Sequence, residues 1–134
     1  MTKTNQALLP EGWPRPKGYA NGVAARGRQI HVAGQVGWSP AGVFASDDFA
    51  AQTRQALENI VAVLRAGGAR PEHIVRMTWY VTSKREYLAA GRDIGTAFRA
   101  IIGHYDIGLT AVEVTALMED RAKVEIEVTA VVPG

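Results

Sequence analysis

The residues with the clearest capacity for chemistry lie near the C-terminus, where glutamates alternate with aliphatic side chains. Glu113 stands in the run Leu109-Thr110-Ala111-Val112-Glu113-Val114-Thr115-Ala116-Leu117. Glu125 and Glu127 stand in Lys123-Val124-Glu125-Ile126-Glu127-Val128-Thr129-Ala130. A carboxylate in such a place can position water, carry a proton or pair with a cation. Period-two spacing gives each run two faces. Val124, Ile126 and Val128 form one face of the second run, and Lys123, Glu125, Glu127 and Thr129 the other. In the first run Val112, Val114 and Ala116 share a face, which leaves Leu109, Glu113, Thr115 and Leu117 on the side expected to carry the glutamates. A row of carboxylates beside aliphatic groups is either a solvated sheet face or a lined cleft, and the solvated face is the commoner of the two.

Other chemistries find little support. The chain has no cysteine, which removes disulfides, thiolate nucleophiles and cysteine-bound zinc. Its three histidines, His31, His73 and His104, fall in three different elements without metal-ligand spacing, so no metal is expected. Ser39, Ser46 and Ser83 sit in loop or cap contexts with no nucleophile elbow around them. Neither Gly-rich nucleotide loop is present.

The elements that must position the glutamates are legible from periodicity. Val75, Met77, Trp79 and Val81 alternate with Arg76, Thr78, Tyr80 and Thr82, as a strand requires. Phe49, Thr53, Ala56, Leu57, Ile60, Val63 and Leu64 recur at helical spacing behind a Ser46-Asp47-Asp48 cap, and Gly67-Gly68 ends that helix. Ser83 and Glu86 have capping-box spacing and open a second helix whose stripe is Tyr87, Ala90, Ile94, Ala97, Phe98 and Ile101, ending at Gly103. Segments 23–25 and 29–33 read as strands turning at Arg26-Gly27-Arg28, and Val43-Phe44 as a short one. The two C-terminal runs read as a hairpin. Residues 1–18, with Pro10, Pro14 and Pro16 around Trp13, form an extended arm, and residues 19–134 a single domain. The class is α+β, six strands in a mixed sheet with two helices on one face. Two helices cannot cover both sides of a sheet, so its second face goes to water or to another subunit.

The totals agree with one ordinary globular domain. The chain has 134 residues, 47% hydrophobic and 21% charged. A net charge of +2 with scattered bases gives no reason to expect nucleic-acid binding. No apolar run approaches the ~18 residues that span a bilayer, and Met1-Thr2-Lys3-Thr4-Asn5-Gln6 lacks a signal peptide's apolar core. A cytoplasmic protein without membrane contact is expected.

Val112-Glu113-Val114, Leu117 and Val124-Glu125-Ile126-Glu127 together resemble the reactive intermediate deaminase family, also called YjgF or endoribonuclease L-PSP. Gly18-Tyr19, Ile30-His31-Val32-Ala33-Gly34-Gln35-Val36 and Gln52-Thr53-Arg54-Gln55-Ala56-Leu57-Glu58-Asn59-Ile60 continue the likeness in the family's order. The resemblance implies a chorismate-mutase-like fold and a homotrimer with small-molecule ligands in clefts between subunits. It also implies imine or enamine hydrolysis without a cofactor. By position, Glu125 matches the glutamate that activates water, and Tyr19 a tyrosine that closes the pocket. Gly34 and Gln35 match a strand end near the ligand, and Thr110 a small hydroxyl residue beside it.

Leu109 departs from the pattern, since the family's deaminases carry an arginine there for the substrate carboxylate. Leucine offers only apolar surface in its place. The resemblance therefore implies an altered substrate range, poorly suited to 2-aminoacrylate or 2-iminobutyrate. Arg92, at a position where the deaminases often have an asparagine, could return a positive charge, or could be a solvated arginine beside Asp93. Glu125 could instead pair with Lys123 or Arg121, and Glu113 is read as structural. A non-catalytic ligand-binding trimer and, from the family's older name, a ribonuclease remain the alternatives.

Overall fold

The computed structural model describes residues 5–134, so the first four residues of the N-terminal arm lie outside it. Asp48 caps the first helix, α1 (Phe49–Ala66), by accepting a 3.0 Å hydrogen bond from the Ala51 amide. Such a cap satisfies one of the helix's otherwise unpaired donors. Gly67 and the positive-φ Gly68 end it. Leu57, Ile60 and Leu64 are fully buried along one stripe, each contributing about 1.5–3 kcal/mol of hydrophobic stabilisation.

Ser83 caps α2 (Lys84–Ala89) through the Glu86 amide at 3.1 Å. The reciprocal half of the capping box is not made; the Glu86 carboxylate holds Lys123 Nζ at 2.9 Å instead. Where the periodicity suggests one long helix, the chain breaks at Ala90 and restarts as α3 (Gly91–Ile101). Glycine at the joint has little helical propensity to carry the first segment through. Among the described residues, three α-helices thus stand where two were expected.

Six strands are present among the described residues, but not in one sheet. β1 (Asn5–Leu8) pairs antiparallel with β2 (Gly22–Ala25), so the described part of the arm opens with a strand. β3 (Arg28–Val36), β4 (Ile74–Val81), β5 (Gly108–Glu113) and β6 (Val124–Val132) form a separate four-stranded sheet in the order β3-β6-β4-β5. The expected single six-stranded sheet is therefore corrected to sheets of two and four strands. The turn between β2 and β3 falls at Gly27 as read, yet β2 takes β1 as its partner. Val43 and Phe44 form no strand; the Ser39 amide donates to the Val43 carbonyl at 2.9 Å and closes a turn.

The expected C-terminal hairpin is also corrected. β5 and β6 do not pair with each other, because β4 lies between them, parallel to β5 and antiparallel to β6. Residues 114–123 are long enough to carry the chain across the end of β4, which a tight hairpin turn could not do. Gln52 of α1, 1% exposed, secures that crossing. Its side-chain amide donates to the Ser46 and Arg121 carbonyls at 3.0 Å and accepts from the Lys123 amide at 2.8 Å.

Register decides which residues share a face. Met77 lies between Leu109 and Val128, and Trp79 between Ala111 and Ile126, on the side packed against the helices. Thr78 lies between Thr110 and Glu127, and Tyr80 between Val112 and Glu125, on the side no helix covers. Leu109 and Glu113 are thus on the opposite face from Glu125 and Glu127, against expectation. The error follows from pairing β5 with β6, whereas β4 fixes the phase of both. No described helix is long and apolar enough to cross a membrane.

Candidate functional site

The open face carries the carboxylates. The Tyr80 hydroxyl donates to Glu127 Oε1 at 2.8 Å. That bond holds the phenol proton and raises the Tyr80 pKa, with desolvation and the charges of Glu127 and Glu125 adding to it and Arg76 opposing. Across the strands, His31 Nδ1 and Thr129 Oγ1 are 3.5 Å apart. His31, Arg76, Thr78 and Glu127 line a shallow hollow of about 370 Å³.

Glu125 stands at one end of this face, half-buried and without a hydrogen bond or ion pair among the described residues. The cations that could have neutralised it are engaged elsewhere in the chain. Lys123 holds Glu86, and Arg121 holds Asp47 at 2.8 Å. The neighbour of Glu125 is the backbone of Gly34, where a Cβ would overlap its carboxylate. Gly34 lies at a register shift between Val32 and Gln35 of β3, which interrupts the ladder with β6. A bulge of this kind takes backbone groups out of the ladder and re-aims the strand, and it is common beside active sites. Gln35 folds back onto the same kink, its amide donating to the Ala33 carbonyl at 3.1 Å. Thr110 is exposed on the open face beside Thr78.

Leu109 belongs to a different hollow, on the helix side. Ala20 bridges to Gly108 and its amide donates to the Ile107 carbonyl at 2.8 Å, which brings Tyr19 to the Leu109 end of β5. Both line a cavity of about 460 Å³. Its wall is a chain of rings. Tyr105 stacks on Phe98 with centroids 5.5 Å apart, Phe98 meets Trp79 at 6.4 Å, and Trp79 meets Tyr87 edge-on at 6.1 Å. Burial raises the Tyr87 pKa, so this phenol remains neutral. The Trp79 indole N–H is buried without an acceptor among the described residues, a cost of about 1–3 kcal/mol that a phenylalanine would avoid.

The site residues read from the sequence therefore divide. Gly34, Gln35 and Glu125 meet at the β3 bulge, and Tyr19 and Leu109 meet at the aromatic cavity. Thr110 joins the open face. Arg92 joins neither group: it is exposed on α3, while Gly91, Ile94, Gly95 and Phe98 are the α3 residues that line the cavity. No ion pair links Arg92 to Asp93 among the described residues. Glu113 accepts a 2.7 Å hydrogen bond from the Lys84 amide at the start of α2, the structural role read for it. Trp79, Tyr87, Phe98, Tyr105 and Lys17 escaped sequence reasoning as cavity residues. They come from five separate parts of the chain, and all but Lys17 and Tyr105 carried core or strand periodicity.

The endoribonuclease L-PSP family model matches residues 14–132. The chain belongs to that family. It is 31% identical over 135 residues to the 2-iminobutanoate/2-iminopropanoate deaminase of Escherichia coli, with 98% of each chain covered. Among solved structures, it is similar to YyfB, a Rid family protein of unknown function from Yersinia pestis. That likeness has a TM-score of 0.84 at 32% identity and covers 97% of this chain and 100% of the other. A YjgF/YER057c/UK114 family member from Mycobacterium tuberculosis is 35% identical with a TM-score of 0.63, covering 87% and 88%. Relatives named as deaminases and as Rid proteins support the Rid reading drawn from the β3, α1 and C-terminal segments.

Proposed function

We propose that the protein is a cytoplasmic imine or enamine hydrolase that works in clefts between the subunits of a homotrimer. The observation that carries this reading is the unpaired, half-buried Glu125 carboxylate set against the Gly34 backbone at a strand bulge. Water adds to the imine carbon while Glu125 takes its proton and returns it to nitrogen. The C–N bond then breaks, releasing ammonia and leaving a carbonyl product. Glu125 and the Leu109 cavity lie on opposite faces of one sheet, so a single chain cannot close them on one substrate. A second copy can. The uncovered sheet face, polar but partly apolar through Val112, offers the surface for that assembly.

Leu109 in place of the deaminases' arginine gives this cleft a different substrate range. A coupled assay that generates 2-aminoacrylate or 2-iminobutyrate from serine or threonine is expected to show little acceleration of ammonia release. Sedimentation is expected to give a trimer of the 14.4 kDa chain. A stable monomer would return the glutamates to the role of a solvated face. Ligand binding without hydrolysis of any imine would leave a ligand-binding trimer as the better reading. The scattered bases and small net charge support a small-molecule substrate over RNA.

A further inference from the structure

We infer that the cavity beside Leu109 selects an aromatic monocarboxylate, its ring held against Tyr87 and Tyr105, which Trp79 and Phe98 back from the core, and its carboxylate met by Lys17. This names the substrate class of the proposed hydrolase and rests on that reading. Twelve residues line the cavity, and Lys17 is the one with a charged side chain. It makes no hydrogen bond or ion pair among the described residues, so its ammonium is available to a ligand. The rest of the lining is apolar or neutral, with Leu88, Ile94 and Leu109 completing the ring-lined wall. Lys17 is displaced from the Leu109 position by belonging to the arm before Tyr19, so a carboxylate here is met at the rim and not at the β5 strand.

Room for the ring comes from α3. Gly91 and Gly95, one helical turn apart, both face the cavity. A Cβ at Gly91 would meet nothing within 4 Å, and one at Gly95 only the mobile end of Arg99, at 3.3 Å. The glycines thus leave open the space that side chains at the same spacing would fill. A volume of about 460 Å³ is in the range of sites for small organic ligands and exceeds what a four-carbon acid needs. An aromatic ring gains from offset or edge-on contact with rings already so arranged, and a cation at the rim gives the charged end one orientation.

The test is calorimetric titration of the whole protein with phenylpyruvate, a stable carbonyl analogue of an aromatic imino acid. Phenylacetamide and 2-oxobutyrate serve as probes lacking the charge and the ring. Phenylpyruvate is expected to bind tighter than either. Lys17→Ala should weaken phenylpyruvate by about tenfold and leave phenylacetamide unchanged. Gly95→Leu, which improves helical propensity while filling the cavity, should weaken both ring compounds by at least about tenfold. Equal phenylpyruvate binding by wild type and Lys17→Ala, or 2-oxobutyrate binding as tightly as phenylpyruvate, would overturn the inference. Aromatic selectivity with no Glu125-dependent hydrolysis would support the cavity assignment and sink the hydrolase reading alone. Glu125-dependent hydrolysis that favours small imines would do the reverse.

Discussion

On the helix side of the four-stranded sheet, Met77, Trp79 and Val81 are at most 2% exposed, while Arg76, Thr78 and Tyr80 of the same strand face the side no helix covers. The first set is enclosed by α1 and α3 except near Leu109, where two glycines and a wall of rings leave a cavity. The second side is polar, with Tyr80 bonded to Glu127 and His31 beside Thr129, while Arg76, Thr78 and Glu125 make no side-chain hydrogen bond or ion pair among the described residues. The difference teaches how such a chain divides labour. One face supplies shape and apolar contact, the other supplies a carboxylate, and the strand between them keeps the two apart. A reaction that needs both requires a neighbouring copy.

The sharpest way to break this comparison is to remove the carboxylate. Glu125→Gln keeps the shape beside Gly34 but abolishes the base, so imine hydrolysis is expected to fall by about 100-fold or more with the trimer intact. Unchanged ammonia release would strip the open face of its chemical role. A change on the link between the faces comes next. Gln52→Leu leaves the Lys123 amide and the Ser46 and Arg121 carbonyls without their side-chain partner, and should cost about 2–3 kcal/mol in urea unfolding. A shift within about 0.5 kcal/mol would show that the 114–123 crossing holds itself.

Leu109→Arg tests the cavity from the other direction. The new guanidinium should raise 2-iminobutyrate hydrolysis by roughly tenfold or more, and the gain should vanish in the double variant with Glu125→Gln. A gain that survives the second change would mean the two residues do not serve one cleft. The smallest effect is spectroscopic. Because the Tyr80 pKa is raised by Glu127, its hydrogen bond persists below the ordinary value of 10.0 and is lost as pH climbs through the higher folded-state value. A phenolate absorbance titration of Glu127→Gln should bring Tyr80 back toward 10.0, and an unmoved curve would deny the pairing.

Much of this was legible locally. The Asp48 and Ser83 caps, the Gly67-Gly68 stop and the alternation of β4 depend on residues within one turn or one strand, so the sequence states them directly. The bulge that joins Gly34 to Glu125 leaves no local mark; the two were placed by family likeness. The face of Leu109 was misread because strand parity has meaning only against a neighbour, and the neighbour of β5 is β4, some 30 residues earlier, not β6. The aromatic cavity was invisible for a related reason. Trp79, Tyr87 and Phe98 have the spacing of core residues, and that spacing does not mark the hollow that Gly91 and Gly95 leave beside them.

The shared cleft itself is best tested by mixing two variants that each lose a different half. Glu125→Gln lacks the base and Gly95→Leu lacks the cavity, so each homotrimer should release little ammonia from an imine made by oxidase action on phenylalanine. Unfolded together in equal amounts and refolded, they should assemble at random, so that about a quarter of all clefts, one in each mixed trimer, combine an intact Glu125 with an intact cavity. Recovery of ammonia release toward that fraction is the expected result. Mixed trimers, demonstrated as such, that remain as inactive as their parents would contradict a cleft built from two subunits.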